Sequence, residues 1–229
     1  LVALEAELAG GKLVPELLAR AKQAGFGDAH IAHACGLPEA EVHKARRLAG
    51  IRSSYLMVDT CAGEFAARTP YFYSTFGDVG EKIERGRSVL ILGSGPIRIG
   101  QGIEFDYSTV HGVQAVRDAG LEAVVVNNNP ETVSTDFDAS DRLYFEPLDA
   151  EAVCDILDVE KPEGVILQLG GQTAVNLADA VAEHIAASGL KTRILGTPVA
   201  SMADAEDRQK CGALMERIGV RMPEWAAAT

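Results

Sequence analysis

From Ser88 onward, short apolar segments alternate with amphipathic segments, and this alternation constrains the fold more than any other feature of the chain. Apolar segments that stop at Gly, Asn or Pro are typical of buried strands, whereas apolar residues at helical spacing are typical of helices. We predict strands over Ser88–Leu92, Ala123–Val126, Arg142–Phe145, Gly164–Gln168 and Arg193–Leu195, with helices over Val110–Ala119, Ala150–Val159, Ala174–Ala187 and Ala203–Ile218. Strands and helices in this order form a parallel sheet covered on both faces, so residues 81–229 are expected to be an α/β, Rossmann-like, doubly wound domain.

Residues 1–80 are predicted to form a separate N-terminal all-α helical domain. Three helices are expected, over Pro15–Ala24, over Ala29–Ala34 with Asp28 as its N-cap, and from Pro38 to about Leu48. Residues 51–80 hold six of the twelve Phe and Tyr residues without a clear periodicity, so we expect them to wrap over a neighbouring surface. The polar, Gly-containing stretch 77–87 marks the boundary between the two domains.

Charge and composition exclude several classes of protein. Residues 1–87 contain 11 Lys and Arg against 11 Asp and Glu, so the other 142 residues carry the whole net charge of −12 and are expected to repel phosphate backbones. No apolar run approaches the roughly 20 residues that a membrane span needs. The four cysteines form no C-x-x-C pair, which argues against a zinc site or a disulfide framework and favours a cytoplasmic location.

Two short helices joined by a Gly-containing turn also fit a helix-turn-helix module. Its basic cluster would consist of Lys44, Arg46 and Arg47. We favour a packing or assembly unit for this segment, and we keep a regulatory DNA- or partner-binding module, fused to a nucleotide-binding domain, as the alternative. Because the chain begins without Met and stops without a terminal element, we expect it to be part of a longer chain.

The loops at the carboxyl ends of the strands are where a doubly wound sheet binds ligands. The loop after the first strand contains Gly93, Gly95 and Gly100, whose backbone N–H groups could approach an anion, and Arg98 could complement its charge. A tight turn without a ligand is the alternative. The loop departs from the dinucleotide fingerprint because Arg98 replaces the third glycine, and it lacks a Walker A ending. A nicotinamide dehydrogenase is therefore disfavoured.

Two carboxylates and a second glycine pair follow on neighbouring crossovers. Glu104 and Glu131 lie just past strand ends, where carboxylates can hold a polar ligand. The loop containing Gly170, Gly171, Gln172 and Thr173 either contacts a ligand or serves as a helix cap by way of Thr173. All five histidines lie on predicted helices, so no catalytic triad can be assembled and no catalytic or metal-binding residue is predicted.

Four ordered strings closely resemble the opening of a pre-ATP-grasp domain in the carbamoyl-phosphate synthase large chain family: Gly93–Tyr107, Asn127–Asp136, Asp141–Pro147 and Gly170–Thr173. Upstream, Val58–Phe65 and Tyr71–Thr75 resemble the end of that family's helical oligomerisation domain, and residues 1–50 resemble its preceding helices. This domain order, together with Arg98 and Gly102, resembles the second, C-terminal synthetase half.

The resemblance implies a role for each of the loop residues. The family makes carbamoyl phosphate from bicarbonate, glutamine-derived ammonia and two ATP, and a tunnel carries carbamate between its two halves. Gly102, Glu104 and Glu131, with Arg98 close by, are then expected to line the tunnel exit in the carbamate-phosphorylating half. The small Gly102 would leave the bore open.

The resemblance also implies cofactors and partners. In this family ATP and Mg²⁺ are bound mainly by the ATP-grasp domain that follows, so no cofactor and no activity are expected of the 229 residues alone. The expected partners are the rest of the large chain, a glutamine amidotransferase small chain and further copies in a homo-oligomer, with neither nucleic acid nor membrane.

Overall fold

The N-terminal segment folds into four helices around their own apolar cluster. The computed structural model describes residues 1–10, 12–77, 79–96 and 103–223. The four helices are α1 (Val2–Ala9), α2 (Pro15–Gln23), α3 (Asp28–Cys35) and α4 (Glu39–Leu48). Leu8, Leu18, Ile31 and Val42 are almost completely buried between them, so this segment has a small core of its own.

A seven-stranded sheet follows the helices. Its strands are β1 (Ser54–Met57), β2 (Tyr71–Thr75), β3 (Ser88–Leu92), β4 (Glu122–Val126), β5 (Arg142–Tyr144), β6 (Gly164–Ile166) and β7 (Arg193–Leu195). The spatial order is β1-β2-β5-β4-β3-β6-β7, and all neighbours are parallel except β1 and β2. The predicted α/β class with a mostly parallel sheet is confirmed. After β3 the chain adds β4 and β5 on one side, and it adds β6 and β7 on the other side. The loops after β3 and β6 are therefore neighbours at the carboxyl ends of the strands.

The expectation that residues 1–80 are all-α is wrong for its second part. β1 and β2 form an antiparallel pair, and β2 joins the sheet beside β5 with Tyr71 opposite Leu143 and Phe72 opposite Tyr144. The rings of Tyr55 and Tyr144 pack edge to face with their centroids 4.9 Å apart. The periodicity of these strands is weak in the sequence because each strand has a single buried residue, Tyr55 in β1 and Phe72 in β2, among partly buried or exposed ones.

Helices cover both faces of the sheet. Successive side chains of a strand point to opposite faces, so neighbouring residues pack against different helices. Val89 and Ile91 point to the face covered by α5 (Glu104–Asp118), whereas Leu90 and Leu92 point to the face covered by α6 (Ala150–Glu160) and α8 (Ala178–Ser188). Every residue of β3 is buried, as expected for the central strand of a parallel sheet.

Three helix boundaries differ from the predictions. α5 begins at Glu104, six positions before the predicted Val110. The helix predicted from Ala174 consists of α7 (Gly171–Val175) and α8, and the helix predicted from Ala203 consists of α9 (Val199–Glu206) and α10 (Arg208–Arg217). The break in the second case is at Asp207, which has an extended backbone and caps α10 by accepting hydrogen bonds from the N–H groups of Gln209 and Lys210 at 2.9 Å.

Candidate functional site

Asn127 joins the loops that follow β3 and β4. It comes directly after β4 and is fully buried. Its Oδ1 accepts hydrogen bonds from the N–H of Gly95 at 3.1 Å and from the N–H of Asn129 at 3.2 Å, while its Nδ2 donates to Ser134 Oγ at 3.4 Å. One buried amide therefore satisfies backbone groups of both loops, which fixes their shapes relative to each other.

The glycines of the first loop make room for this amide. A Cβ on Gly93 would lie 2.7 Å from Asn127 Nδ2, closer than any side chain tolerates. The N–H of Gly93 donates to the carbonyl of Val126 at 2.9 Å, and that of Gly95 donates to Asn127. Both groups thus have partners inside the protein, as in the tight-turn alternative. The predicted site residues Arg98, Gly100 and Gly102 lie outside the described residues.

Asp106 ties the segment that carries Glu104 to the segment that carries Glu131. Glu104 is exposed in the first turn of α5, and Glu131 is exposed in the loop after β4. Between them, the buried carboxylate of Asp106 accepts hydrogen bonds from the N–H groups of Val133 at 2.9 Å and Ser134 at 3.1 Å. The two predicted carboxylates therefore lie on segments that are directly connected at one edge of the sheet.

The third loop packs tightly against the first one. A Cβ on Gly170 would lie 2.1 Å from the carbonyl oxygen of Gly93, and Gly171 has a φ of +67° with the ring of Phe105 2.9 Å from where its Cβ would be. These glycines are needed for close approach of backbone to backbone and backbone to ring. Of the two alternatives for this loop, the Thr173 cap is wrong, because α7 begins at Gly171 with Gly170 as its N-cap and Thr173 lies inside the helix.

Gln172 points away from the first loop. Its Nε2 donates to Asn176 Oδ1 at 2.7 Å and to Glu206 Oε2 at 2.6 Å, which links α7 to the end of α9. Its observed partners are therefore the C-cap residue of its own helix and the last residue of α9.

A second polar cluster joins the N-terminal helices to α6. Arg46 on α4 is fully buried, and its guanidinium donates to Asp155 at 2.8 and 3.1 Å and to Asp28 at 3.0 Å. Lys22 on α2 donates to Asp28 at 3.1 Å and to Glu151 on α6. Two cations thus bridge carboxylates from both parts of the chain, which is the arrangement that buried charges require. We name these five residues the junction cluster.

Asp28 occupies the centre of the junction cluster, so its predicted role as a helix N-cap is wrong. α3 has Gly27 as its N-cap, and the Asp28 side chain points inward with no exposed surface. Burial alone would raise the pKa of Asp28, but the hydrogen bond with His43 and the positive charges of Arg46 and Lys22 lower it below its usual range. Asp28 is therefore a charged carboxylate neutralised on several sides.

Two of the three residues in the predicted basic cluster, Arg46 and Arg47, face the protein, whereas Lys44 is exposed. This placement disfavours the helix-turn-helix alternative. Arg46 is buried in the junction cluster, and Arg47 forms an ion pair with Asp158 on α6. Hydrogen bonds from His184 and Arg47 hold the pKa of Asp158 at about 2 despite its burial. DNA-reading helices instead present such residues to the groove.

His184 also contacts Ser188 at 3.3 Å and Asp158 at 2.9 Å, the three residue types of a hydrolase triad. Both contacts use the same ring nitrogen, Nε2, so the imidazole cannot relay a proton from the hydroxyl to the carboxylate.

A groove of about 770 Å³ beside His184 lies between α4, α6 and α8 and contains His43, Arg47 and Cys154. Burial and the nearby carboxylates raise the pKa of the Cys154 thiol to about 12, so it is a poor nucleophile.

The described residues contain neither a metal-binding cluster nor a membrane-spanning helix. Within 1–10, 12–77, 79–96 and 103–223, no group of three or more His, Cys, Asp or Glu side chains is arranged to hold a metal ion. In the same ranges, no helix has both the length and the hydrophobicity that crossing a membrane requires.

Two family models match the chain. The carbamoyl phosphate synthase preATP-grasp domain matches residues 85–204, which is more than half of the chain, and the oligomerisation domain of the carbamoyl-phosphate synthetase large chain matches residues 1–50. The chain thus combines a pre-ATP-grasp α/β unit with an oligomerisation segment. It belongs to the carbamoyl-phosphate synthase large chain family, and the family predicted from its loop motifs is confirmed.

Similar solved structures include biotin carboxylase domains. The biotin carboxylase domain of a single-chain bacterial carboxylase is 15% identical to this chain, with a TM-score of 0.42. The match covers 58% of this chain and 29% of the carboxylase chain. That of the Hydrogenobacter thermophilus 2-oxoglutarate carboxylase is 20% identical with a TM-score of 0.41, covering 60% and 28%. The Rhizobium etli pyruvate carboxylase is 12% identical with a TM-score of 0.42, covering 61% and 13%. The chain therefore spans less than a third of each of these proteins.

Proposed function

We propose that this chain supplies assembly surface and part of a carbamate-tunnel wall in the carbamate-phosphorylating half of a carbamoyl-phosphate synthase large chain. The observation that carries the proposal is that Glu104 and Glu131 lie on segments joined through Asp106 at one sheet edge, in a chain of this family. The proposed reaction is the family's synthesis of carbamoyl phosphate from bicarbonate, glutamine-derived ammonia and two ATP, for arginine or pyrimidine biosynthesis.

The proposed wall suits the chemistry of carbamate. The amino group of carbamate donates hydrogen bonds that the Glu104 and Glu131 carboxylates would accept, and its negative end would be balanced by Arg98. Gly102 would keep the bore open because it has no side chain. Glycine-containing loops whose shapes are fixed by buried side chains such as Asn127 would hold these groups in place while the intermediate passes.

The remaining parts of the enzyme belong to the same proposal. ATP and Mg²⁺ would be bound mainly by the ATP-grasp domain expected after this chain, so we propose that the 229 residues alone make no carbamoyl phosphate. The proposed partners are the rest of a large chain, a glutamine amidotransferase small chain and further copies of the enzyme in the cytoplasm. Residues 1–80 would serve assembly and residues 81–229 the pre-ATP-grasp role; β1 and β2 add to the sheet of the second unit.

The test uses the complete large chain with its small chain. Glu131→Gln, Glu104→Gln and Gly102→Leu are each expected to raise the ATP hydrolysed per carbamoyl phosphate formed by roughly tenfold, because carbamate fails to reach the second site. Glu216→Gln, an exposed acid on α10, is the matched control and should leave the ratio unchanged. Unchanged ratios in Glu131→Gln, Glu104→Gln and Gly102→Leu together would refute the tunnel wall.

A further inference from the structure

We propose that Asp106 is a positioning residue that sets the location of Glu131 relative to Glu104 by capping the 3-10 turn Val133–Thr135 from a neighbouring helix. The inference rests on the proposed function, since it concerns the same wall. Asp106 is 8% exposed and lies in the first turn of α5. A buried carboxylate is retained only with partners, and here the partners are the two backbone N–H groups that begin the next loop's turn.

The 3-10 turn depends on an outside cap. The first N–H groups of any helical turn have no partner within it and are usually satisfied by the preceding side chain. That residue is Thr132, but its hydroxyl donates instead to the carbonyl of Asn129 at 3.3 Å and provides no cap. Asp106 provides it from α5, one carboxylate oxygen for Val133 and the other for Ser134. Charge-assisted bonds of this kind are about twice as strong as neutral ones.

Glu131 is fixed from its other side as well. Its own N–H donates to Asn129 Oδ1 at 3.0 Å, and Asn129 is in turn held by Asn127 through a 3.2 Å hydrogen bond. Asn127 also reaches Ser134, the second residue that Asp106 holds. Glu131 therefore lies between two anchors, and Asp106 is the one that connects it to the helix of Glu104.

Helix geometry explains why Asp106 can do this without displacing Glu104. Residues two apart on an α-helix are separated by roughly 200° around its axis. Glu104 therefore faces outward while Asp106 faces the turn at Val133, as their exposed and buried states show. If the hydrogen bonds between Asp106 and the turn at Val133 shift, the loop that carries Glu131 moves relative to α5. The distance between Glu104 and Glu131 then changes.

The test is Asp106→Asn in the complete large chain, with Asp106→Glu as the conservative variant. The Asn side chain keeps one acceptor and turns an NH₂ group toward a backbone N–H, so one of the two cap bonds is lost. We expect roughly tenfold more ATP hydrolysed per carbamoyl phosphate, with partial recovery in Asp106→Glu. Asp179→Asn, an exposed acid in the first turn of α8, is the matched control and should not change the ratio.

A second readout separates positioning from folding. ATP formation from ADP and added carbamoyl phosphate uses the second half without passage through the wall, so Asp106→Asn should retain it within about twofold. Loss of this reverse reaction in both Asp106 variants alike would mean a purely structural role and overturn the inference. If Glu131→Gln uncouples the reaction and Asp106→Asn does not, the inference fails while the proposed function stands. If Asp106→Asn, Glu131→Gln, Glu104→Gln and Gly102→Leu all leave the reaction coupled, the proposed function fails.

Discussion

Arg46→Met removes one of the two buried cations of the junction cluster while keeping a side chain of similar length. Arg46 has no exposed surface and donates to Asp28 and to both oxygens of Asp155. In the variant, Asp28 still has Lys22 at 3.1 Å, but among the side chains observed to bond Asp155 only Ser53 remains, at 2.8 Å. The substitution therefore leaves a buried carboxylate without a counter-charge.

The expected loss of stability follows from this uncompensated charge. Breaking a buried ion pair from one side costs about 3–5 kcal/mol. The chain contains a matched control in Arg20, which also forms two hydrogen bonds to one carboxylate, that of Glu7, at 2.9 and 3.2 Å. Its side chain is 57% exposed and that of Glu7 is 48% exposed. An exposed ion pair contributes little to stability because solvent screens it, so Arg20→Met should cost far less than Arg46→Met.

Urea unfolding followed by circular dichroism measures the difference. With an m-value of about 2–3 kcal/mol/M, the Arg46→Met midpoint should fall by roughly 1–2 M and the Arg20→Met midpoint by less than about 0.5 M. Hydrogen exchange should locate the lost protection in α2, α3 and α4, because the cluster attaches these helices to α6. A free energy of unfolding for Arg46→Met within 1 kcal/mol of the Arg20→Met value would refute the reasoning from burial.

Acid should weaken the contact between the N-terminal helices and α6. The pKa of Asp158 is about 2 in the folded chain, against about 3.9 in an unfolded one, so its contribution to stability is complete above pH ~4 and is lost as the pH falls toward 2. Urea midpoints at pH 5 and pH 3 should differ less in Asp158→Asn than in the unchanged chain, and an equal difference would contradict this. Separately, Gly170→Ala should destabilise the chain by about 1–3 kcal/mol, because the new Cβ would lie 2.1 Å from the backbone carbonyl of Gly93. Gly77→Ala, with nothing within 4 Å, is its control, and similar melting temperatures for the two variants would count against the close approach.

The central strands were predictable because burial leaves a local signature. Ser88–Leu92 is the same range in the prediction and in the structure, and all its residues are buried. β1 and β2 left no such signature, since each buries a single residue, Tyr55 in β1 and Phe72 in β2. The helix beginning at Glu104 was also missed for its first six residues, because Glu104, Asp106 and Tyr107 do not continue the apolar spacing of the later turns.

The polar clusters could not be predicted, because their partners are distant in sequence. Arg46 and Asp155 are 109 positions apart, and Lys22 and Glu151 are 129 apart. From the sequence, Asp28 has the features of an N-cap, and only the packing of α2, α4 and α6 makes it the centre of an ion cluster. Asn127 offered one usable signal, since a polar side chain directly after a buried strand must find partners at the sheet edge.

The described loop contacts bear on how the proposed site could use this edge of the parallel sheet. An edge that binds phosphate presents unpaired backbone N–H groups at a helix N-terminus and leaves negative charge to the ligand. Here the N–H groups of Gly95 and Val133 donate to Asn127 and Asp106, and the first turn of α5 itself carries two acids. A phosphate at this position would have to displace internal hydrogen bonds and approach carboxylates. Loops held by internal hydrogen bonds keep their shape when no ligand is bound. They therefore suit the proposed tunnel wall, along which an intermediate passes without staying bound.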